Sequence, residues 1–240
     1  GPKSLSLLAG VDATLTDAID FGYVSFLSKF FVEALTFFHG FTANWGVAII
    51  ILTIIVRMLL FPLTLKSMQS MERMRELQPE QNAIREKYKD EPEKMQKEWM
   101  ALYKRNKVNP LGGCLPMLLQ FPIFIGLYYA LQGAIQLRQE PFMLWITDLS
   151  APEALFTIPG LELPVRLLPL LMGGSMILQQ KMTPTTMDPA QARMMLTMMP
   201  IMFTLLFYQF ASGLVLYWLV SNVLGILQQV LINRSPSAAK

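Results

Sequence analysis

Hydrophobic positions along this chain fall into runs too long for strands of a soluble domain. From Trp45 to Leu65 the only polar residues are Thr53, Arg57 and Thr64. A run of this length predicts a transmembrane helix over 44–65. Before it, residues 21–43 are apolar and aromatic, but Lys29 and Glu33 interrupt them at i, i+4, among Ser25, Ser28 and Thr36. That pattern predicts an amphipathic helix lying in the membrane interface, with a sixth span as the alternative. Residues 66–108 change character. Apolar positions recur at Met68, Met71, Met74, Leu77, Ile84 and Tyr88, then at Met95, Trp99 and Leu102, in helical spacing. Between the two stripes Lys89-Asp90-Glu91-Pro92 breaks the pattern, and Pro92 suits the first turn of a new helix. Two amphipathic helices then form a solvent-exposed antiparallel hairpin.

Beyond a turn at 109–114, four further spans are expected within 109–234. They cover about 113–136, 164–181, 193–210 and 214–232. An outer loop at 137–163, a polar turn from Lys181 to Ala192 and a tight turn at Ala211-Ser212-Gly213 connect them. Residues 1–20 receive no element, and 235–240 form a short tail. Gly1-Pro2 reads as a protease-cleavage scar, so the natural chain is expected to start upstream. The predicted fold is an all-α polytopic membrane protein: five spans, a helical hairpin and an interfacial helix.

Composition supports the class. The chain is 53% hydrophobic and 15% charged, with mean hydropathy +0.40, against about 25% charged residues in soluble domains. The net charge of +3 says less than its distribution. The 66–108 segment holds eleven Lys/Arg and eight Asp/Glu. Placing it in the cytoplasm by the positive-inside rule puts fifteen of the twenty basic residues inside, with the N-terminus outside and the C-terminus inside.

Arg57 is the unusual feature. It lies about 18 Å along the helix from Trp45, and a central Arg costs about 2.5–3.5 kcal/mol on insertion scales. Thirteen Leu, Ile, Val and Phe residues between Val47 and Leu65 return about 4–8 kcal/mol, so the helix inserts regardless. No Asp or Glu lies in any expected span to neutralise it. Two accounts remain open: Arg57 snorkels to the cytoplasmic interface, or it faces a water-filled cavity inside the bundle. Thr53 lies one turn away on the same face. Gln120, Gln179, Gln180, Ser221 and Asn222 are further polar residues in spans, readable as hydrogen bonds between helices.

Catalytic chemistry is missing. Proton-coupled pumps use intramembrane carboxylates, and a phosphate-cradling glycine loop is absent. No paired Asp, Ser-His pair or metal-ligand cluster exists, so neither an enzyme nor a cofactor is expected. His39 and Cys114 are each the single residue of their type, and His39 is given no role. Cys114 is read as a small apolar packing residue. The hairpin's basic residues could touch ribosomal RNA. Met194, Met195, Met198, Met199 and Met202 are either core filler or an adaptable surface for varied apolar partners. Pro62, Pro116, Pro122, Pro169 and Pro200 each remove one helical hydrogen bond. A small-solute channel or transporter with Arg57 as selectivity residue is the competing class, and a structural assembly factor the third.

Ile54-Ile55-Val56-Arg57, Asn109 through Cys114, Lys181-Met182-Thr183-Pro184-Thr185 and Ser212 through Asn222 together resemble the Oxa/YidC/Alb family of membrane protein insertases, in its bacterial branch. The resemblance covers about residues 21–234. It implies a hydrophilic groove open to the cytoplasm and sideways to lipid, in the bacterial cytoplasmic (inner) membrane. It assigns Arg57, Thr53, Gln120, Trp218 and Asn222 to the groove, and Phe121, Phe124, Met199 and Phe203 to a hydrophobic slide for a substrate's transmembrane segment. The partners implied are nascent membrane proteins, the translating ribosome, the Sec translocon and the lipid bilayer. Family members of Gram-negative bacteria carry a further N-terminal span and a large outer domain not seen in this sequence, and the basic C-terminal tail of some members is nearly missing.

Overall fold

The computed structural model describes residues 25–234 apart from 110, 111, 113, 114, 161 and 184–188. The expected N-terminal remnant, the tail, Cys114 and the middle of the 181–192 turn lie outside the described residues.

Eight helices are described: α1 (Ser25–Thr42), α2 (Trp45–Glu76), α3 (Gln78–Lys87), α4 (Pro92–Arg105), α5 (Leu115–Gly133), α6 (Leu167–Met182), α7 (Pro189–Phe207) and α8 (Ser212–Arg234). Among the described residues two helices, Trp45–Glu76 and Ser212–Ile232, are long and apolar enough to cross a membrane, and α5 and α7 contain shorter apolar stretches. Helix α8 packs against α6 and α2, α1 packs against α2 and α5, and α7 packs against α6.

The main core gathers at one end of this bundle. It contains Phe31 and Leu35 of α1, Ile49 and Leu52 of α2, Leu127 and Leu131 of α5, Met172 of α6, Phe207 of α7 and Leu214 to Tyr217 of α8. Leu137, Ile146 and Leu149 from the following loop complete it. Local chemistry fixes this closed end. Asn44 caps α2 by accepting from the Val47 amide (3.1 Å) and donates Nδ2–H to the Phe142 carbonyl (2.9 Å). Glu153 Oε1 accepts from the Leu168 amide (2.7 Å) in the first turn of α6, where a negative charge is favoured. The ring of His39 stacks on Trp45 at 4.2 Å, so the lone histidine has a packing role. The opposite end leads to the hairpin, whose small separate core is Met74, Leu77, Leu102 and Val108, supported by Met71, Ile84 and Tyr103.

Several expectations need correction. The helix expected over the first span does not end at residue 65: α2 runs on through Pro62 to Glu76. The hairpin's first arm is accordingly split, with α3 starting at Gln78. Pro79 causes the break, because it lacks an N–H and disfavours helical backbone in the residue before it. Pro92 does open α4. The fold is not purely α-helical. Phe156–Ile158 (β1) and Leu163–Val165 (β2) form an antiparallel ribbon with Phe156 opposite Val165, so β2 takes the residues expected to open the third span. The tight turn lies at Tyr208–Ala211, since Ser212 and Gly213 already belong to α8.

Candidate functional site

Away from the closed end, polar side chains replace apolar ones on the facing surfaces of α2, α5, α6 and α8. Arg57 lies eight residues beyond Ile49 of the core, about 12 Å along α2. The helix then continues to Lys66, about 13.5 Å further on, before charged sequence begins. Its Nε is buried without a hydrogen-bond partner, and among the described residues no carboxylate pairs with it. A Cβ at Gly225 of α8 would lie 4.0 Å from Arg57 Nη1 and would overlap Gln179 Nε2 of α6. The missing side chain at Gly225 thus makes room for a guanidinium and an amide at one place. Sequence reading missed Gly225. A glycine inside an apolar span, one turn past Ser221, was the available signal.

The other polar residues join helices in pairs. Gln120 Nε2–H donates to the Tyr217 hydroxyl at 2.7 Å, linking α5 to α8. Asn222 Nδ2–H donates to Ser175 Oγ at 3.0 Å, linking α8 to α6. Gln180 Nε2–H donates to Met199 Sδ at 3.3 Å, linking α6 to α7. Gln180 Oε1 and Gln228 Oε1 are buried without partners, as is Arg57 Nε. Buried polar atoms left unpaired cost about 1–3 kcal/mol each; Trp145 Nε1, Glu153 Oε2 and Arg166 Nε at the closed end are unpaired as well. Tyr217 lies within electrostatic reach of Arg57 and is a further residue that sequence reading did not single out.

The expected groove residues divide into two groups. Arg57, Gln120 and Asn222 are in the polar region. Thr53 is completely buried and its hydroxyl donates to the Ile49 carbonyl of its own helix (2.6 Å), so it faces the core rather than an open groove. Trp218 belongs to an aromatic cluster, at 5.2 Å from Phe124, 5.6 Å from Phe203 and 5.1 Å from Phe207. That cluster spans α5, α7 and α8 and separates the polar region from the closed end. The expected slide residues divide in the same way. Phe121 is 52% exposed, Phe124 and Phe203 are in the aromatic cluster, and Met199 receives the Gln180 amide. The exposed apolar face is supplied by Phe121 together with Leu118 and Ile125 of α5 and by Met194, Met198, Met202 and Leu205 of α7.

The family described as 60Kd inner membrane protein matches residues 37–239. The chain belongs to that family. Curated relatives of this 60Kd family bear the name membrane protein insertase YidC. One from Syntrophobacter fumaroxidans is 56% identical over 98% of this chain and 42% of its own length. Another, from Geobacter sulfurreducens, is 49% identical over 100% of this chain and 43% of its own length. A crystal structure of an active YidC insertase with its first transmembrane domain resolved superposes with a TM-score of 0.69 at 27% identity, over 96% of this chain and 50% of that one. The chain therefore spans less than half the length of the curated relatives it matches. The family resemblance read from the motifs holds across nearly the whole chain.

Proposed function

We propose that this chain is the insertase core of a membrane protein insertase and chaperone. It admits nascent, mainly small, membrane proteins to the bilayer without nucleotide hydrolysis. The observation that carries the proposal is the division of the bundle: an unpaired Arg57 among polar side chains on the hairpin side, and an apolar core sealing the other end. In this reading five spans are formed by α2, α5, α6, α7 and α8, α1 lies in the outer interface, and the hairpin and C-terminus are cytoplasmic. The polar region is a hydrophilic groove open to the cytoplasm and to lipid. Arg57 draws in the acidic, soluble flank of a client, and groove water lowers the desolvation cost of that flank. The client's apolar segment meanwhile lies along the exposed face of α5 and α7 and moves into lipid. About 20 apolar residues at roughly 0.3–0.6 kcal/mol each outweigh one or two transferred charges. The membrane potential adds about 2.3 kcal/mol per outward-moving negative charge per 100 mV. The hairpin receives clients, with the translating ribosome and the Sec translocon as partners, in a bacterial inner membrane.

The sealed end favours this reading over a solute channel, which needs an aqueous path through both leaflets. The test is insertion of a one-span client with an acidic outer tail into liposomes containing only this protein, without nucleotide, scored by protease protection. Protection well above that of empty liposomes is expected. Protection equal to empty liposomes, or ion conductance through the purified protein in planar bilayers, refutes the proposal.

A further inference from the structure

A cavity of about 430 Å³ lies at the closed end between the last turns of α5 and α7, away from Arg57. Its wall includes Tyr128, Gln132, Ser150, Leu206, Gln209 and Phe210, and none of its lining residues carries a formal charge. Gln132 lies in the last turn of α5, and Gln209 in the turn that follows α7. Along α5 one stripe runs Phe121, Ile125, Tyr128, Gln132, and along α7 another runs Met198, Met202, Leu205, with Gln209 in the turn beyond the helix end. The first follows i, i+4, i+7, i+11 and the second i, i+4, i+7, each a single helix face, and both run from the hairpin end to the closed end. Phe121, Ile125, Met198, Met202 and Leu205 are exposed, so each stripe is an apolar track; the first ends in the exposed Gln132 amide, and the exposed Gln209 follows the second past the end of α7. The first track is about 16 Å long.

The amides have capacity to spare. Gln132 Nε2–H donates to the Tyr128 hydroxyl (2.7 Å), which leaves the glutamine carbonyl and the phenolic proton available. Gln209 has no hydrogen-bond partner within the described protein. The cavity is unsuited to an anion. It contains no Lys or Arg, and the nearby α8 N-terminal amides are already used: Ser212 donates to the Ala151 carbonyl and Gly213 to the Leu149 carbonyl, both at 2.9 Å. An uncharged guest with both donors and acceptors fits it.

We infer that this cavity receives the outward end of a client's transmembrane helix, with Gln132 and Gln209 hydrogen-bonding the backbone groups of its last turn. The inference rests on the insertase reading above. A helix end leaves four N–H or four C=O groups without intrahelical partners. In lipid each such group costs several kcal/mol until it is paired. A glutamine amide donates and accepts, so the pair serves a client helix ending in either direction.

The test places a photoreactive side chain at position 132 or 209 in membrane vesicles whose insertion of a one-span client is measured in parallel. Crosslinks are expected to the client's outward terminal turn and not to its cytoplasmic half. As a second arm, Q132L/Q209L is expected to slow insertion of a client whose last turn lacks capping residues several-fold. Insertion of a client that caps its own helix should be unchanged. Both glutamines are exposed, so these changes spare the packed core. Crosslinks confined to lipid, or equal slowing of both clients, while the unsubstituted protein inserts normally, overturn the inference alone. Failure of the unsubstituted protein to insert either client overturns the insertase reading, and the inference with it.

Discussion

Replacing Arg57 by Met should make the protein more stable and less useful. Among the described residues the guanidinium has no carboxylate partner, and its Nε is buried and unpaired. An Arg at the centre of a span costs about 2.5–3.5 kcal/mol, and part of that cost is relieved here because Arg57 remains partly exposed. Met has a similar reach and no charge, so Arg57→Met should stabilise the bundle by about 1–2 kcal/mol. Function should move the other way. A client carboxylate about 8 Å from Arg57 gains about 2 kcal/mol at an effective dielectric constant near 20. Losing that attraction corresponds to about a 30-fold slower insertion of a client with an acidic tail, and no change for a neutral tail. The assay pairs chemical unfolding of the purified protein in detergent with protease protection of the two clients in liposomes. A Met variant destabilised by more than about 1 kcal/mol would show that Arg57 is satisfied in the fold. Equal losses for acidic and neutral clients would show that its charge is not what clients read.

The Gln120–Tyr217 hydrogen bond should give a coupling of about 0.6–1.7 kcal/mol in a double-mutant cycle of Gln120→Leu and Tyr217→Phe, measured by unfolding in detergent. Additive effects would mean that the two side chains act separately. Phe207→Ala should cost about 3–5 kcal/mol and lower the Tm clearly, because Phe207 is 2% exposed where the aromatic cluster meets the core. Gly173→Val should separate α6 from α7, since a Cβ there would overlap the Thr204 hydroxyl, and about 1–3 kcal/mol of overpacking strain is expected in the same unfolding assay. Ser67→Ala should leave the spans intact but speed proteolysis at 109–112, because Ser67 Oγ–H ties the Gly112 carbonyl to α2 at 2.5 Å.

The parts of the fold legible in the sequence were those with a long period. Apolar runs marked the four later bundle helices to within a few residues at most ends, and the stripes of Met71, Met74, Leu77 and Leu102 anticipated the hairpin core. Boundaries set by a single residue were harder. Helix α2 crosses position 65 because a change from apolar to charged surface does not break a helix, whereas Pro79 does. The β1–β2 ribbon is three residues a side, too short for alternation to register. Polar residue type singled out Arg57, Gln120 and Asn222, which lie among the polar side chains between helices. It did not separate Thr53, whose hydroxyl is satisfied by its own helix, from residues facing open space. The importance of Gly225 comes from a side chain it lacks, and only the approach of Gln179 and Arg57 reveals that.

The distribution of order along the bundle accounts for how such a site survives. Unpaired buried polar atoms at Arg57, Gln180 and Gln228 each weigh against folding. The closed end holds such atoms too, at Trp145, Glu153 and Arg166, but it also gathers the apolar core that offsets them. Core residues from α1, α2, α5, α6, α7, α8 and the 137–149 loop meet at the closed end, where apolar contact and helix capping fix the crossings. Each helix then projects from that anchored end toward the hairpin, and its polar half need not hold the bundle together. The same division sets the shape of the exposed face. Helices α5 and α7 are joined at the aromatic cluster of Phe124, Phe203, Phe207 and Trp218, while each makes its main helix contacts with other partners, α1 for α5 and α6 for α7. Their apolar stripes are therefore exposed among the described residues, and in the insertase reading proposed above they take a client. A helix laid between them would add to the bundle the packing partner that these two stripes lack.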